Sequence, residues 1–242
     1  MLLMEAVAAH ITDSAVVLRD GVDALHGWPQ GWYGELTYEA PWSPRLEGCQ
    51  TGGTSGGEAG TSSEARSRLL QLSFAEAFYL AFVLPDEPLE QQSARLVLVM
   101  AGDASLRPIG AAECWQRFRA ARPRFAHELA AYRALRRAGW IVRSGLKYGA
   151  ALALYASDGQ RPSHAAFCAL VHAPQLGDAA PSWLAVQQHS RVCGQVAKGL
   201  LLCTVEGGED ALDEPGGLER LGVSTLSLSP WSAAREHAQL SK

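Results

Sequence analysis

The chain has 242 residues, 48% of them hydrophobic and 19% charged, and a net charge of −4. Those proportions belong to an ordinary globular protein, long enough to bury a good core in one or two domains. They exclude a bilayer-spanning helix, for which no apolar run is long enough, and the acidic total argues against a protein that coats nucleic acid indiscriminately.

The first 45 residues hold short strand-like pieces, Ala15–Leu18, Trp32–Tyr33 and Leu36–Tyr38, punctuated by Gly and Pro, which predict a small antiparallel unit. No basic-then-apolar layout of a secretory signal opens the chain. From about 46 to 67 the chain is Gly, Thr and Ser with scattered charge, which reads as a flexible insertion. A helix is predicted from Leu72 to Leu84. Ser73 and Glu76 have capping-box spacing, Phe74, Phe78 and Ala81 form an apolar stripe, and Pro85 ends the helix. Ala94–Met100 reads either as a short strand or as the flank of another helix.

Ala111–Ala121 predicts a helix with Trp115 and Phe118 turned inward. Pro123 fits the first position of the next helix, where its missing N–H costs nothing, and that helix runs to about Ala138. Gly139 stands where a helix needs a left-handed cap. Trp140–Arg143 has strand residues, and the turn dipeptide Ser144-Gly145 leads into a second strand ending on Tyr155. Ser157–Gly159 and Arg161-Pro162 form a loop. The run His164–Val171 is apolar, as a strand buried on both faces would be. Trp183–Leu200 predicts a helix carrying Lys198, Leu200–Val205 a buried strand, Glu206–Pro215 an acidic loop, and a last strand lies near Leu218–Leu228. The fold class is therefore α/β (α+β). An N-terminal mixed α/β domain covers residues 1–125, and a C-terminal domain with a mixed central sheet flanked by helices covers 126–242.

Five cysteines (Cys49, Cys114, Cys168, Cys193, Cys203) are odd in number and contain no C-x-x-C pair, so neither a zinc site nor a disulfide framework is indicated. They read as buried small hydrophobes in a reducing compartment. Basic residues crowd into one stretch: Arg117, Arg119, Arg122, Arg124, Arg133, Arg136, Arg137, Arg143 and Lys147, against acids concentrated in Glu206–Glu219. That asymmetry suits either a local polyanion site on an acidic body or a solvated helix face.

Tyr155, His164 and Lys198 come from three elements of one small domain and form the candidate site. RNA carries its own nucleophile, the 2′-hydroxyl beside each phosphodiester. Cleavage then needs a base for that proton, an acid for the departing 5′-oxygen, and positive charge on the phosphorane. His164 is a natural acid because imidazole titrates near neutrality, and Lys198 can stabilise the phosphorane. A phenol with a pKa of about 10 is ionised only to roughly a thousandth at pH 7. Tyr155 must therefore be helped by nearby cations such as Lys198, or act mainly by positioning the hydroxyl.

The run Tyr132-x-x-Leu-Arg-x-x-Gly-Trp-x-Val-Arg-Ser-Gly-x-Lys-Tyr-Gly, the strand ending in Tyr155, and His164-Ala165 together resemble the tRNA-splicing endonuclease family. Arg191 and Lys198, seven residues apart, match that family's Arg…Lys helix, where two turns would set both on one face. Leu72–Leu80 resembles the Leu-Ser-x-x-Glu-Ala-Phe-x-Leu helix of the eukaryotic subunit that cuts the 5′ splice site. The resemblance covers roughly 112–205 and leaves the N-terminus and the glycine-rich insertion unmatched. It departs at Ala150 and Ala151, where the family often has an acidic residue.

The resemblance implies an endonuclease that excises introns from precursor tRNA without metal or cofactor, leaving a 2′,3′-cyclic phosphate and a 5′-hydroxyl. Tyr155 would be the general base, His164 the general acid and Lys198 the transition-state stabiliser. Arg191 would help pinch a bulged base, with Arg143 and Lys147 also on the RNA. Implied partners are precursor tRNA with bulged exon–intron junctions, and other endonuclease subunits or further copies of this chain, engaged through the acidic loop 206–214. No membrane is implied; the location would be the nucleus or the cell interior generally. A non-catalytic subunit of the same assembly and a plain RNA-binding module are the rival readings; a metal-dependent nuclease ranks below them.

Overall fold

The computed structural model describes residues 5–20, 22–24, 32–38, 68–84, 94–102, 105–157, 163–207 and 212–229. The expected insertion at 46–67, Pro85 and Cys49 lie outside them. The class is mixed α+β, as expected, with two five-stranded sheets.

The first sheet comprises β1 (Glu5–Ile11), β2 (Val16–Leu18), β3 (Glu35–Tyr38), β4 (Arg68–Leu72) and β5 (Ala94–Met100), in the order β3-β4-β2-β1-β5. Ala94–Met100 resolves as a strand because it pairs in parallel with the whole of β1, from Glu5 opposite Ala94 to Ile11 opposite Met100. The other pairings are antiparallel. Trp32-Tyr33 is not a strand. Left-handed Trp32 (φ 58) and Gly34 (φ 67) turn the chain into β3 instead.

Three helices share one core with residues of both sheets. α1 (Phe74–Phe78) begins on the expected capping box: Ser73 Oγ accepts from the Glu76 N–H (3.2 Å), while the Ser73 N–H donates to Glu76 Oε2 (3.0 Å). It widens into a π-helical turn over Tyr79–Val83. α2 (Ala111–Ala121) buries Cys114, Trp115 and Phe118. α3 (Phe125–Arg137) starts later than expected, because Pro123 sits in a turn closed by the Phe125 N–H on the Arg122 carbonyl (2.9 Å). Aromatic rings lock the three together. Phe74 stacks on Phe118 at 4.3 Å, and Phe78, Trp115 and Phe118 each meet Phe125 edge-on at 5.3–5.6 Å.

The second sheet comprises β6 (Ile141–Ser144), β7 (Leu152–Tyr155), β8 (Phe167–His172), β9 (Gly199–Glu206) and β10 (Gly222–Leu228), in the order β10-β9-β8-β7-β6. Only β8 and β9 run parallel, and that pairing needs a crossover, which α4 (Trp183–Gln195) supplies. The last strand starts at Gly222 rather than near Leu218, because Pro215–Arg220 winds into a 3-10 helix.

Strand alternation gives this sheet two different faces. Val142, Leu154, Ala169, Cys203 and Val205 join the core around α1–α3, which is continuous with that of the first sheet. Ile141, Ala153 and Tyr155 face the other way, as do Cys168 and Leu200, which meet Cys193 of α4. The β6–β7 connection is longer than the expected tight turn. Residues Leu146–Tyr148 form a 3-10 turn closed by left-handed Gly149 (φ 65).

Candidate active site

Sheet register brings the candidate residues to one end of three adjacent strands. Tyr155 is the last residue of β7. The Ala166 N–H donates to the Leu154 carbonyl (2.7 Å), tying the approach to β8 to that strand end. The Gly199 N–H donates to the Ala166 carbonyl (2.9 Å), tying in the start of β9. His164 lies two residues before Ala166 and Lys198 one before Gly199, so all three side chains arise from this corner.

Two of them sit on backbone of a different kind from that expected. His164 is not in the strand, which begins only at Phe167; it is exposed on the loop leading in. Tyr155, by contrast, is 5% exposed and packs with Ile141, Ala153 and Ala165. Lys198 is not on the helix either. α4 ends at Gln195, and Ala197 turns left-handed (φ 53). The Lys198 N–H then bonds the Cys193 carbonyl (2.9 Å) and the Ala197 N–H the Gly194 carbonyl (3.1 Å). This is a Schellman cap with alanine where glycine is usual, and it aims Lys198 at the β9 start. Arg191, exposed on α4, and Lys198 therefore do not share a helix face.

Lys198 is half-buried; its Nζ donates to the Val196 carbonyl (3.3 Å) and stands 5.2 Å from the centroid of the Tyr148 ring. Lys147, from the 3-10 turn, places its Nζ 4.9 Å from the same centroid. The Tyr148 hydroxyl, with a smaller contribution from Tyr155, holds the Lys147 ammonium above its ordinary range. So Lys147 also belongs to this corner, and Tyr148 lies beside both lysines. Beneath, burial pushes the Cys168 thiol up to about 12, which keeps it protonated and out of the chemistry at neutral pH.

Arg143 lies elsewhere. Its Nη2 donates to the Gly34 carbonyl (2.9 Å), so it joins the second sheet to the approach to β3. Most of the arginine block is likewise engaged within the chain. Arg117 pairs with Glu113, Arg122 with Glu128, Arg124 with Asp178 and Arg133 with Glu219, while Arg136 stacks over Tyr33 at 4.3 Å. The end of the acidic segment is also tied inward: the Leu212 carbonyl accepts from Trp115 Nε1 (2.8 Å) and the Asp213 carbonyl from Gln116 Nε2 (2.9 Å). Among the described residues, no group of three or more His, Cys, Asp and Glu side chains is arranged to hold a metal ion.

The stretch that contains this corner matches a known family. The profile of the tRNA intron endonuclease catalytic C-terminal domain matches residues 125–212. Subunit Sen2-1 of the tRNA-splicing endonuclease of Arabidopsis thaliana is 30% identical over 173 residues, covering 70% of this chain and 67% of that protein. The chain belongs to the tRNA-splicing endonuclease Sen2 family. Mouse (Mus musculus) Sen2 is 32% identical over 181 residues, and fission yeast (Schizosaccharomyces pombe) probable sen2 is 38% identical over 86. The match spans 70% of this chain but 36% of the mouse protein and 22% of the yeast one for 34% of this chain, so the chain corresponds to part of those longer relatives.

Proposed function

We propose that this chain cuts precursor tRNA at exon–intron junctions, by transesterification through the RNA's own 2′-hydroxyl. Tyr155, in its phenolate form, takes the 2′-hydroxyl proton and becomes the neutral phenol as the oxygen attacks the adjacent phosphorus. Lys198 balances the charge gathering on the phosphorane oxygens. His164 donates a proton to the 5′-oxygen as the P–O5′ bond breaks. The products are a 2′,3′-cyclic phosphate and a 5′-hydroxyl. No step calls for a metal ion.

The observation that carries this reading is that the backbone brings Tyr155, His164 and Lys198 to one sheet corner of a chain in this family. Their exposures suit the roles: exposed His164 can reach a leaving group, while Tyr155 is held by packing. α4 contains no Asp or Glu and presents Arg191 to solvent, which fits an RNA-facing helix. Lys147 sits beside the phosphate position in this scheme. Arg143 acts through the fold instead, given its bond to Gly34. As in proteins named as subunits, the chain works in an assembly with other subunits or copies of itself, in the nucleus.

The reading is tested with a precursor tRNA carrying a single 2′-deoxynucleotide 5′ to one junction. Cleavage at that junction stops while the unmodified junction is still cut. Continued cleavage at the deoxy position would rule out the 2′-hydroxyl as nucleophile.

A further inference from the structure

Tyr148 touches both small apolar clusters of the sheet's outer face. It packs with Ile141, Ala153, Tyr155 and Ala165 on one side and with Cys168, Cys193 and Leu200 on the other. Its ring thus stands between the strand end that carries Tyr155 and the helix cap that delivers Lys198. The backbone below it is fixed. The Tyr148 N–H bonds the Gly145 carbonyl (2.8 Å), and Gly149 closes the 3-10 turn. Any Cβ on Gly145 would stand 2.7 Å from the Leu152 backbone, so the turn lies tight against β7.

Two ammonium groups meet this ring, Lys147 at 4.9 Å and Lys198 at 5.2 Å from its centroid. Among the described residues, neither lysine has a carboxylate partner. That difference matters for a cation that must act on a phosphate. A carboxylate would order the lysine but cancel its charge. An aromatic ring orders it through its quadrupole and leaves the full positive charge available. Ordering also removes rotamer freedom that a long side chain would otherwise lose in the transition state.

We propose that Tyr148 is a positioning residue, a neutral aromatic clamp that holds Lys198 toward the phosphorane and Lys147 toward the Tyr155 hydroxyl. This inference rests on the roles given above to Lys198 and Tyr155. For Lys198 the contact is with the ring alone, and the Tyr148 hydroxyl serves Lys147, so Phe substitutes for Tyr in holding Lys198 and Leu does not.

The test compares wild type, Tyr148→Phe, Tyr148→Leu and Lys198→Ala in the complete cleaving assembly. With Tyr148→Leu, kcat falls about tenfold at nearly unchanged KM, while Tyr148→Phe stays within about twofold of wild type. In parallel, NMR of the purified chain follows the Lys198 εCH2 protons. A ring-current shift is present in wild type and Tyr148→Phe and lost in Tyr148→Leu. Wild-type kcat in Tyr148→Leu, equal losses in the Phe and Leu variants, or no ring-current shift in wild type would each overturn the proposal. Full activity of Lys198→Ala, with the ring-current shift present in the wild type, would place the error in the assigned role of Lys198, and would remove the clamp's catalytic purpose with it.

Discussion

Among the described residues, two Schellman caps share one hydrogen-bonding pattern, one built on glycine and one on alanine, and their exchange measures what the second costs. At the end of α3, Gly139 (φ 86) donates to the Arg136 carbonyl (2.9 Å) and Trp140 to the Leu135 carbonyl (3.1 Å). At the end of α4, Ala197 (φ 53) and Lys198 repeat the two bonds. A Cβ on Gly139 would meet nothing within 4 Å, so a substitution there reports backbone strain free of any clash. An L-residue in the left-handed region costs about 1–2 kcal/mol. Glycine returns about 0.4–1 kcal/mol of that through the greater freedom of the unfolded chain. Gly139→Ala is therefore expected to destabilise by about 1 kcal/mol, and Ala197→Gly to stabilise by about 0.5–1 kcal/mol. For a chain of this size those changes move Tm by roughly 2–4 °C per kcal/mol, in opposite directions. Urea unfolding followed by tryptophan fluorescence and circular dichroism gives both values. Destabilisation by Ala197→Gly would refute the reasoning, because it would mean the alanine is not strained and the turn that aims Lys198 is not held as described.

Gly199→Ala brings a Cβ to 2.5 Å from two ring carbons of Phe167, and costs about 1–3 kcal/mol of stability by overpacking. Adding Phe167→Leu recovers part of the loss in thermal melts, whereas strict additivity would show that the two residues do not touch. Trp115→Phe loses the indole bond to the Leu212 carbonyl and leaves a void, for a loss of about 2 kcal/mol. Hydrogen exchange at Leu212 and Asp213 should rise with it, and unchanged exchange would show that Trp115 does not anchor that segment. Arg124 hydrogen-bonds Asp178, with help from the Ala173 N–H, and holds its carboxyl down to about 2 against an ordinary 3.8. This stabilisation is complete above pH 3.8 and disappears as pH falls toward 2. Asp178→Asn should flatten that part of the stability curve, and an unaltered acid limb would argue against the pair.

The elements that local chemistry dictates were legible from the residues. Ser73 and Glu76 announced a capping box, Gly139 a left-handed cap, and the aromatic spacing of Trp115 and Phe118 an inward helix face. What could not be read depended on partners distant in sequence. β5 was ambiguous because its identity comes from parallel pairing with β1, almost ninety residues away. The end of α4 was missed because an alanine, not a glycine, takes the left-handed position, so nothing in the residue type marked the stop. The same error put Lys198 on a helix face beside Arg191. The dense arginine block read as either a polyanion site or a solvated helix face, because its partners Asp178 and Glu219 arrive only on folding. Tyr155, His164 and Lys198 were found through motif resemblance, and the sheet register then brought their strand ends together. Tyr148 escaped because its meaning depends on two lysines that converge only in three dimensions.

The account is tested most directly by mapping product ends. The chain, with its co-purifying partners, is incubated with an intron-containing precursor tRNA in excess EDTA, alongside His164→Ala and Lys198→Ala. The account predicts cutting at the junctions in EDTA, with 2′,3′-cyclic phosphate and 5′-hydroxyl ends. Both variants should lose cleavage while still binding the precursor. Products ending in 3′-hydroxyl and 5′-phosphate, or full cleavage by either variant, would contradict it.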